Sequence, residues 1–193
     1  PMRFVRTHKN RIGEMLQAKS RLVMPGHRDP QIGLYRTDAP TTSGLAVYVM
    51  AVIAASLGWT GMIFDVMTAF LTGQPLDREV YGRAPKEGLP EMDKSKRVKP
   101  YALLGILKGA YGLTEAPRLW YPRAREILKE IAFIELRLAR AVCTLRDSNK
   151  KLVGMLTLHV DGGLFFGDQK SRCYQQARVQ LDQKFNIKKW VTL

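Results

Sequence analysis

The sequence predicts an α+β fold in which an antiparallel split-βαβ sheet is backed by helices. The first observation is the order of elements from Gly61 onward, which is strand, helix, strand, strand, helix, strand, with one extra hairpin. The second is that short apolar runs typical of strands alternate with two longer helical stretches. The third is a tight turn predicted at Asp161-Gly162-Gly163. In this arrangement the end of the first strand lies beside the turn of the central hairpin.

The N-terminal part of the chain predicts a basic region, a helix and short strands. Residues 1–37 are rich in Lys and Arg and contain Gly and Pro breaks, which indicates an irregular basic arm or a β-hairpin with loops. Thr41-Thr42-Ser43 can cap a helix that runs to Leu57. The other elements predicted here are strands over 61–66, 79–83 and 101–107, with a turn near Gln74-Pro75 and a loop over 84–99.

The C-terminal part supplies both helices of the split-βαβ unit. A helix is predicted over 114–131, where Pro117 is tolerated because it falls in the first turn. A turn at Ser148-Asn149-Lys150 separates two strands of a hairpin. The predicted ranges are strands over 142–147, 152–160 and 164–166, a helix over 169–184 and a last strand over 185–191.

Composition indicates a globular chain with a polyanionic partner. The 193 residues are enough for one domain or one and a half, and 46% hydrophobic content is an ordinary globular value. The formal charge of +14 is not ordinary, and nucleic acid is the simplest partner for it. Two distant cysteines exclude a disulfide framework. No signal peptide is visible, and the apolar run over 45–57 is too short to cross a bilayer. These features predict an intracellular protein, in cytoplasm or nucleus, without a membrane partner.

Two aspartates stand out in apolar, strand-like stretches. Asp65 ends one such stretch, and Asp161 lies at the turn of the predicted hairpin. A buried carboxylate without a partner is costly, so two of them require a reason. A shared divalent metal is one reason, because hard cations prefer carboxylate oxygens. The alternatives are a strand-end or helix-capping carboxylate for Asp65 and an ordinary turn residue for Asp161.

Six segments occur in one order over residues 19–188 and belong together as a set of motifs. The two longest are residues 65–73, which contain an aspartate and an aromatic residue, and residues 111–121, in which a glycine precedes the start of a predicted helix. The segments are Lys19-Ser20-Arg21-Leu22-Val23, Asp65-Val66-Met67-Thr68-Ala69-Phe70-Leu71-Thr72-Gly73, Glu79-Val80-Tyr81, Tyr111-Gly112-Leu113-Thr114-Glu115-Ala116-Pro117-Arg118-Leu119-Trp120-Tyr121, His159-Val160-Asp161-Gly162 and Phe185-Asn186-Ile187-Lys188.

Together these segments resemble the reverse transcriptase of Ty1/copia-type retrotransposons, a part of the Pol polyprotein. The resemblance implies a fingers–palm fold with a ferredoxin-like palm sheet. It places the fingers-like basic region and its helix at 1–58 and the palm at 59–193. Thumb, connection and ribonuclease H domains would lie beyond Leu193. The implied activity is RNA-directed DNA synthesis, with two Mg²⁺ or Mn²⁺ ions as cofactors. The implied partners are an RNA or DNA template–primer and deoxynucleoside triphosphates.

The resemblance also implies roles for individual residues. Asp65 and Asp161 would be the catalytic metal ligands, together with the main chain of Val66. The nucleotide-binding residues would be Lys19, Arg21, Thr68, Ala69, Phe70 and Glu115, with Phe70 as the steric gate against a ribose 2′-hydroxyl. The template–primer residues would be Gly112, Pro117, Arg118, His159 and Gly162. Core packing of Phe70, and a solvated basic face for Lys19 and Arg21, stay open as alternatives.

The chain departs from the family pattern at functional positions. The family has a second aspartate where this chain has Gly162, a tyrosine at His159 and a glutamine at Glu115. Loss of the second aspartate predicts a degenerate, impaired active site. A non-catalytic nucleic-acid-binding module derived from the polymerase is therefore the first alternative. An unselected product without function is another. A nuclease is disfavoured, because no third acidic or histidine ligand clusters with the two aspartates.

Overall fold

The computed structural model describes residues 1–9, 17–89 and 97–193, of which the side chains of residues 8, 9 and 17–19 lie outside the described part. These residues form ten strands and three α-helices. The strands are β1 (Arg3–Lys9), β2 (Gln17–Val23), β3 (Thr60–Val66), β4 (Pro75–Arg83), β5 (Leu103–Lys108), β6 (Ile134–Glu135), β7 (Val142–Arg146), β8 (Leu152–His159), β9 (Gly162–Gly167) and β10 (Ile187–Thr192). The α-helices are α1 (Gly44–Ser56), α2 (Ala116–Glu130) and α3 (Arg172–Phe185).

The strands form three antiparallel sheets. The largest has six strands in the order β10-β3-β9-β8-β7-β6. β1 pairs with β2, and β4 pairs with β5, as separate two-stranded ribbons. Because β3 and β9 are neighbours in the large sheet, the end of β3 lies beside the turn between β8 and β9. This neighbourhood is the one that the element order predicts.

Helices cover both faces of the six-stranded sheet, but unequally. α2 and α3 lie on one face, where Trp120 and Tyr174 share a core with Phe64 and Phe165. α1 lies on the other face, where Met50 belongs to a smaller cluster of residues from α1, β7, β8 and β9. Successive side chains of a strand point to opposite faces, so β7, β8 and β9 each contribute to both clusters. On the second face, α1 packs toward the end of the β3–β9 ladder where β3 begins.

A third core joins the N-terminal ribbon to the rest of the chain. Met24, which follows β2, shares it with Val80 of β4 and Leu113, which precedes α2. The main-chain N–H of Met24 also donates to the Tyr111 oxygen over 2.7 Å. The region that carries the basic N-terminal strands is therefore packed against the start of α2.

Local signals explain where the helices begin and end. The Ser43 side chain accepts a hydrogen bond from the Ala46 N–H over 3.2 Å, which confirms the predicted cap of α1. Ser171 caps α3 in the same way, through the Tyr174 N–H. Asn186 ends α3 with φ 52°, a left-handed conformation that asparagine tolerates better than most residues.

Most predicted elements are present, and three differ. The hairpin of β1 and β2 is confirmed in its described part, while its loop over 10–16 lies outside the described residues. The tight turn was expected at 161–163, but Gly162 is already paired in β9 and the turn is Val160-Asp161. β4 begins at Pro75, earlier than expected. β6 was not expected, because two residues are too few to give a periodic pattern.

No helix among the described ranges is long and apolar enough to cross a membrane.

Candidate active site

The first predicted metal ligand lies on the less covered face of the six-stranded sheet. Asp65 is near the end of β3, between Phe64 and Val66, whose side chains belong to the core beneath α2 and α3. Asp65 therefore points to the opposite face. α1 packs on that face around Phe166, toward the other end of the ladder, and Asp65 is exposed. The expectation of a buried carboxylate is wrong here, and solvent-borne ligands can reach Asp65.

The second predicted ligand, Asp161, lies in the turn that connects β8 to β9. The turn consists of Val160 and Asp161, since β9 begins at Gly162. The Val66 main-chain N–H donates to the main-chain oxygen of Asp161 over 2.9 Å, and Asp65 is directly opposite Gly162 in the ladder. The structure therefore brings the two aspartates to the same end of the same strand pair. Asp161 is half-buried.

The turn itself holds backbone strain. Val160 has φ 54°, in the left-handed region. A β-branched residue is a genuine outlier there, because its side chain crowds the main chain. Such strain persists only where the surroundings fix the conformation, and it clusters at functional sites. The Val66 hydrogen bond to the next residue, Asp161, is one contact that fixes this turn.

The donors present fit a hard divalent cation in part. Exposed Asp65 and half-buried Asp161 offer carboxylate oxygens at one end of the strand pair, and Mg²⁺ is commonly bound by one or two carboxylates together with substrate phosphates. Over the described ranges, no group of three or more His, Cys, Asp or Glu side chains is placed to hold a metal ion. Water, phosphate or main-chain oxygens would have to supply the other ligands. The Val66 N–H already donates to Asp161 in the turn, so the Val66 carbonyl oxygen is the main-chain atom that could bind a metal ion.

Gly162 lies where the backbones of β3 and β9 leave no room for a side chain. A Cβ atom built on Gly162 would lie 2.7 Å from the main-chain oxygen of Phe64, closer than real Cβ contacts. The neighbour is backbone, so it cannot move aside like the end of a flexible side chain. The family's second aspartate therefore does not fit at this position unless β3 and β9 separate slightly.

One row of residues crosses the sheet at this level. His159 of β8 pairs with Gly162 of β9, which in turn pairs with Asp65 of β3. His159 is exposed. Directly paired residues share a face, so the His159 imidazole and the Asp65 carboxylate lie on the same face of the sheet. Gly162, which has no side chain, lies between them.

The row ends at two lysines that sequence reasoning missed. In the β10–β3 ladder Ile187 pairs with Val66 and Trp190 with Phe64, so two residues of β10 face the single residue Asp65. Ile187 and Trp190 both pack against the core beneath the helices. The two residues between them form a β-bulge, a device that redirects side chains at functional sites. These residues are Lys188 and Lys189, and both are exposed. The run of charges at 188–189 was the available signal.

The segment after β3 positions the predicted nucleotide-binding residues. Thr68 has φ 54° and precedes a short 3-10 turn, Ala69–Thr72. The Thr68 hydroxyl donates to the Met67 oxygen over 2.7 Å. Ala69 is buried in the main core, so only its main chain can face a ligand. Phe70 is half-buried and packs at the border of two cores, which gives it a packing role as well.

Two of the predicted nucleotide-binding residues, Phe70 and Arg21, both contact the ring of Tyr111. The rings of Phe70 and Tyr111 are in edge-to-face contact, with centroids 5.5 Å apart and planes at 74°. The Arg21 guanidinium lies over the Tyr111 ring at 5.5 Å from its centroid. Lys19 belongs to β2, but its side chain lies outside the described part. Tyr111 stood within a motif but was not expected in the site.

Only glycine fits at position 112, because of the backbone conformation there and the lack of space. The φ of Gly112 is +90°, and a Cβ there would collide with the Met24 main-chain oxygen. A Cβ at Gly26 would in turn collide with the Gly112 oxygen. Two backbones thus approach as closely as glycine permits. Gly112 is exposed, so its main chain is accessible to a ligand.

Glu115 does not reach solvent. Its side chain is 1% exposed and accepts a hydrogen bond from the Arg78 Nε over 3.0 Å, while its other oxygen has no partner among the described residues. Arg78 also pairs with Asp29 at 2.5 Å and donates to the Gln31 side chain over 2.9 Å. The hydrogen bond from Arg78 lowers the pKa of Asp29, and the hydrogen bond to Asp29 raises the pKa of Arg78. The Tyr35 ring lies 4.6 Å from the guanidinium.

The Glu115 side chain is buried, so in this structure it is not accessible to a nucleotide. Its carboxylate instead links α2 to β4 through Arg78. Pro117 lies in the first turn of α2, as expected. Arg118 is half-buried and pairs with Asp77 at 3.3 Å, and its Nε is buried without a partner in the described part of the chain.

Comparisons with known proteins show the family to which the chain belongs. The model of the family described as reverse transcriptase (RNA-dependent DNA polymerase) matches residues 1–193. The retrovirus-related Pol polyprotein from transposon RE1 of Arabidopsis thaliana is 29% identical over 188 residues, which are 96% of this chain and 12% of the polyprotein. That from transposon TNT 1-94 of Nicotiana tabacum is 28% identical over 176 residues, which are 91% of this chain and 13% of the polyprotein.

The chain thus spans about an eighth of the length of these curated relatives. No solved structure matches it. The family model covers the whole chain, and the relatives are Pol polyproteins of copia-type transposons. The chain therefore belongs to the reverse transcriptase family, as a copia-type retrotransposon reverse transcriptase domain.

Proposed function

We propose that this chain is the fingers–palm part of an RNA-directed DNA polymerase, with a two-metal nucleotidyl-transfer site that Gly162 impairs. One observation supports this most directly. Asp65 and Asp161 lie at the same end of the β3–β9 pair, where Asp65 is exposed on the sheet face opposite α2 and α3 and Asp161 is half-buried in the turn. Two carboxylates at a strand end and a neighbouring hairpin turn are suited to metal-assisted chemistry on phosphates.

The strand order supports a split-βαβ palm. In chain order the unit is β3, α2, β8, β9, α3 and β10, and its four strands lie in the sheet as β10-β3-β9-β8. That order is the one expected of a ferredoxin-like unit, which supports the proposal. In this proposal residues 59–193 are the palm, and residues 1–58 are the fingers-like basic region with α1.

The proposed reaction is attack by a primer 3′-hydroxyl on the α-phosphate of a deoxynucleoside triphosphate, with pyrophosphate leaving. Asp65 and Asp161, with the main chain of Val66, would hold two Mg²⁺ or Mn²⁺ ions. Reverse transcriptases in general use divalent ions, which polarise the phosphoryl oxygens and neutralise charge that develops in the reaction. Positioning by the protein accounts for most of the remaining catalysis in phosphoryl transfer.

The nucleotide would be held by residues from two places, the strand β2 and the segment that follows β3. Arg21 and Lys19 would bind the triphosphate, where a guanidinium offers two parallel N–H donors. The main-chain N–H groups of Thr68 and Ala69 would donate to phosphate oxygens, consistent with the inward-facing Ala69 side chain. Phe70 would exclude a ribose 2′-hydroxyl by filling its space.

The template–primer would lie across the face that carries Asp65. Gly112 exposes main chain, and His159 is exposed in the same row as Gly162, so both are accessible to a nucleic acid. Pro117 and Arg118 would act from the start of α2. The charge of +14 supplies the nonspecific attraction to phosphates. As a part of a Pol-type chain, the domain would take an RNA or DNA template–primer as its partner.

A second candidate is a nucleic-acid-binding module that has lost catalysis. The observation that favours it is the fit of Gly162, because the strand pair leaves no room for the family's second aspartate. Binding through basic residues does not need that carboxylate. This candidate predicts tight, salt-dependent binding of duplexes without metal-dependent synthesis.

Primer extension on a primed RNA template tests both candidates. The unmodified chain would be compared with Asp65→Asn, Asp161→Asn and the matched control Asp168→Asn, each with Mg²⁺ and with Mn²⁺. Asp168 is a suitable control because it immediately follows β9, at the other end of that strand. We expect slow extension, about 10²–10³-fold below an intact site if Gly162 costs as much as losing one transition-state donor.

Extension should vanish in Asp65→Asn and Asp161→Asn and persist in Asp168→Asn. Extension that survives both aspartate changes would contradict the proposed site. Duplex binding without any extension would favour the binding module. Absence of both binding and extension would exclude the polymerase and the module alike.

A further inference from the structure

Tyr111 lies between two residues of the proposed nucleotide site that come from different segments. Phe70 follows β3, and Arg21 is part of β2. The Phe70 ring meets Tyr111 edge to face at 5.5 Å, and the Arg21 guanidinium lies over Tyr111 at 5.5 Å. Both contacts are attractive, because an aromatic face is electron-rich and both a ring edge and a guanidinium are positive. All three side chains are half-buried, so they can meet a ligand and still pack.

The backbone around Tyr111 is fixed on both sides. Its main-chain oxygen accepts the Met24 N–H over 2.7 Å, which joins it to the end of β2. A Cβ at Gly109 would lie 3.1 Å from the main-chain oxygen of Phe70, so the two backbones are also close there. Gly112 approaches Met24 more closely than any other residue type allows. The Tyr111 ring therefore has little freedom to move without displacing Arg21 or Phe70.

We propose that Tyr111 is a positioning residue that sets the preference of this site for deoxynucleotides over ribonucleotides. The inference rests on the proposed function. Phe70 can exclude a 2′-hydroxyl only while its ring is held in place, and Arg21 can bind a triphosphate only while its guanidinium faces the same space. Tyr111 contacts both and fixes their relative position. Without the ring, Phe70 gains rotamers and the gate opens to ribonucleotides.

Two measurements test this role. The first measures coupling without any nucleotide, by urea unfolding of Tyr111→Leu, Phe70→Leu and the double variant. Residues in contact give non-additive effects, and we expect the double variant to depart from additivity by about fivefold in the unfolding equilibrium constant. Tyr111→Phe keeps both ring contacts and should behave like the unmodified chain. Tyr81→Leu is the matched control, an exposed tyrosine on β4 outside this cluster.

The second measurement is ternary-complex formation on a primer–template that ends in a 3′-dideoxynucleotide, with Mg²⁺ and the next complementary deoxy- or ribonucleotide. We expect Tyr111→Leu to reduce the deoxy-to-ribo preference about tenfold, given the size of one ring–ring and one cation–ring contact. Tyr111→Phe and Tyr81→Leu should keep the preference. A packing residue without a positioning role would lower affinity for both nucleotides equally.

The outcomes separate this inference from the proposed function. Additive unfolding of the Tyr111 and Phe70 variants would overturn the positioning role, whatever the nucleotide data. An unchanged preference in Tyr111→Leu would overturn it as well. Coupled unfolding in a chain that forms no ternary complex with either nucleotide would count against the proposed polymerase, and against a nucleotide role for Tyr111 with it.

Discussion

At the scale of single residues, the fate of Glu115 shows how a local departure from a family pattern can be compensated. Replacing an amide by a carboxylate suggests added negative charge near a triphosphate. The fold instead buries Glu115 and pairs it with Arg78, which also binds Asp29. Two carboxylates and one guanidinium, drawn from three segments, form this network. Sequence reasoning missed it because the partners are 37 and 49 residues apart.

Removing the central cation should therefore destabilise the fold strongly. We expect Arg78→Met to lower the free energy of unfolding by about 3–5 kcal/mol, because it leaves two carboxylates in the interior without their partner. Urea unfolding measures this. Arg36→Met is the matched control, since Arg36 pairs with Asp38 at 2.8 Å on an exposed surface and such pairs contribute little. Equal unfolding midpoints for the two variants would contradict the structural role of Arg78.

The same network should make stability depend on acid. Arg78 lowers the pKa of Asp29 in the folded chain, so the unfolded chain binds a proton at a higher pH than the folded chain does. The stabilisation from Asp29 is complete above its unfolded pKa of about 3.9 and is lost as the pH falls through the lower, folded pKa. Unfolding followed from pH 6 down to pH 2 should show a weaker acid dependence in Arg78→Met. An identical dependence in both chains would refute this assignment.

Gly162 is the second residue where the structure changes the expectation. From sequence it is a lost carboxylate, and reversion to aspartate looks like a simple repair. In the structure, any Cβ at this position meets the Phe64 main-chain oxygen at 2.7 Å. We expect Gly162→Ala to destabilise the chain by about 1–3 kcal/mol, as overpacking commonly does.

Thermal unfolding of Gly162→Ala and Gly105→Ala tests this expectation. Gly105 is a fair control, because it also lies in a strand and its Cβ would only contact the Tyr81 ring, at 3.8 Å. A smaller loss in Gly162→Ala than in Gly105→Ala would show that β3 and β9 adjust freely. Gly162→Asp should then be as stable as Gly162→Ala and a suitable revertant.

At the scale of elements, the hairpin of β8 and β9 shows what pattern reasoning can reach. Short apolar runs predict both strands, and their pairing places Asp161 near Asp65, as expected. The turn is displaced by one residue because glycines were taken as turn residues. Gly162 is needed in the ladder, where space is short, and Val160 takes the left-handed position instead. Sequence alone does not reveal which demand on a glycine is stronger.

A strained valine in this turn predicts that a better-suited residue stabilises the hairpin. Val160→Asn should raise the melting temperature by about 2–4 °C, since relief of left-handed strain is worth about 1 kcal/mol and asparagine tolerates that region. Differential scanning calorimetry measures the shift. The matched control is Val153→Asn, a buried position in β8 where asparagine should destabilise. A lower melting temperature for Val160→Asn would mean that the Val160 side chain stabilises the turn by more than the strain costs.

At the scale of the whole molecule, the sheet explains why some of the site was predictable and some was not. Asp65 and Asp161 were found because strand order alone brings them together. Contacts between distant segments were missed, among them Arg21 with Tyr111 and Arg78 with Glu115. Such contacts depend on how β2 and β4 pack against the segment that precedes α2, and no periodicity within one segment encodes that packing.

The fold determines where the basic residues behind the net charge of +14 lie, and two of them lie beside the proposed site. The bulge in β10 places Lys188 and Lys189 opposite Asp65, at the edge of the face where the template–primer is proposed to lie. Binding that neutralises 6–10 phosphates should weaken by about 10³–10⁵-fold between 50 and 200 mM salt. Changing both lysines to glutamine should reduce the slope of log affinity against log salt by about 2, one for each lost phosphate contact.

The control for that prediction removes the same charge elsewhere. Lys150 and Lys151 are exposed lysines at the turn before β8, at the opposite end of that strand from His159. Fluorescence anisotropy of a labelled primer–template, titrated at several salt concentrations, compares the two double variants. If only net charge matters, both slopes fall equally, and the sheet face that carries Asp65 has no special role in binding. If the bulge directs its lysines to the nucleic acid, the slope falls for Lys188→Gln/Lys189→Gln and stays unchanged for Lys150→Gln/Lys151→Gln.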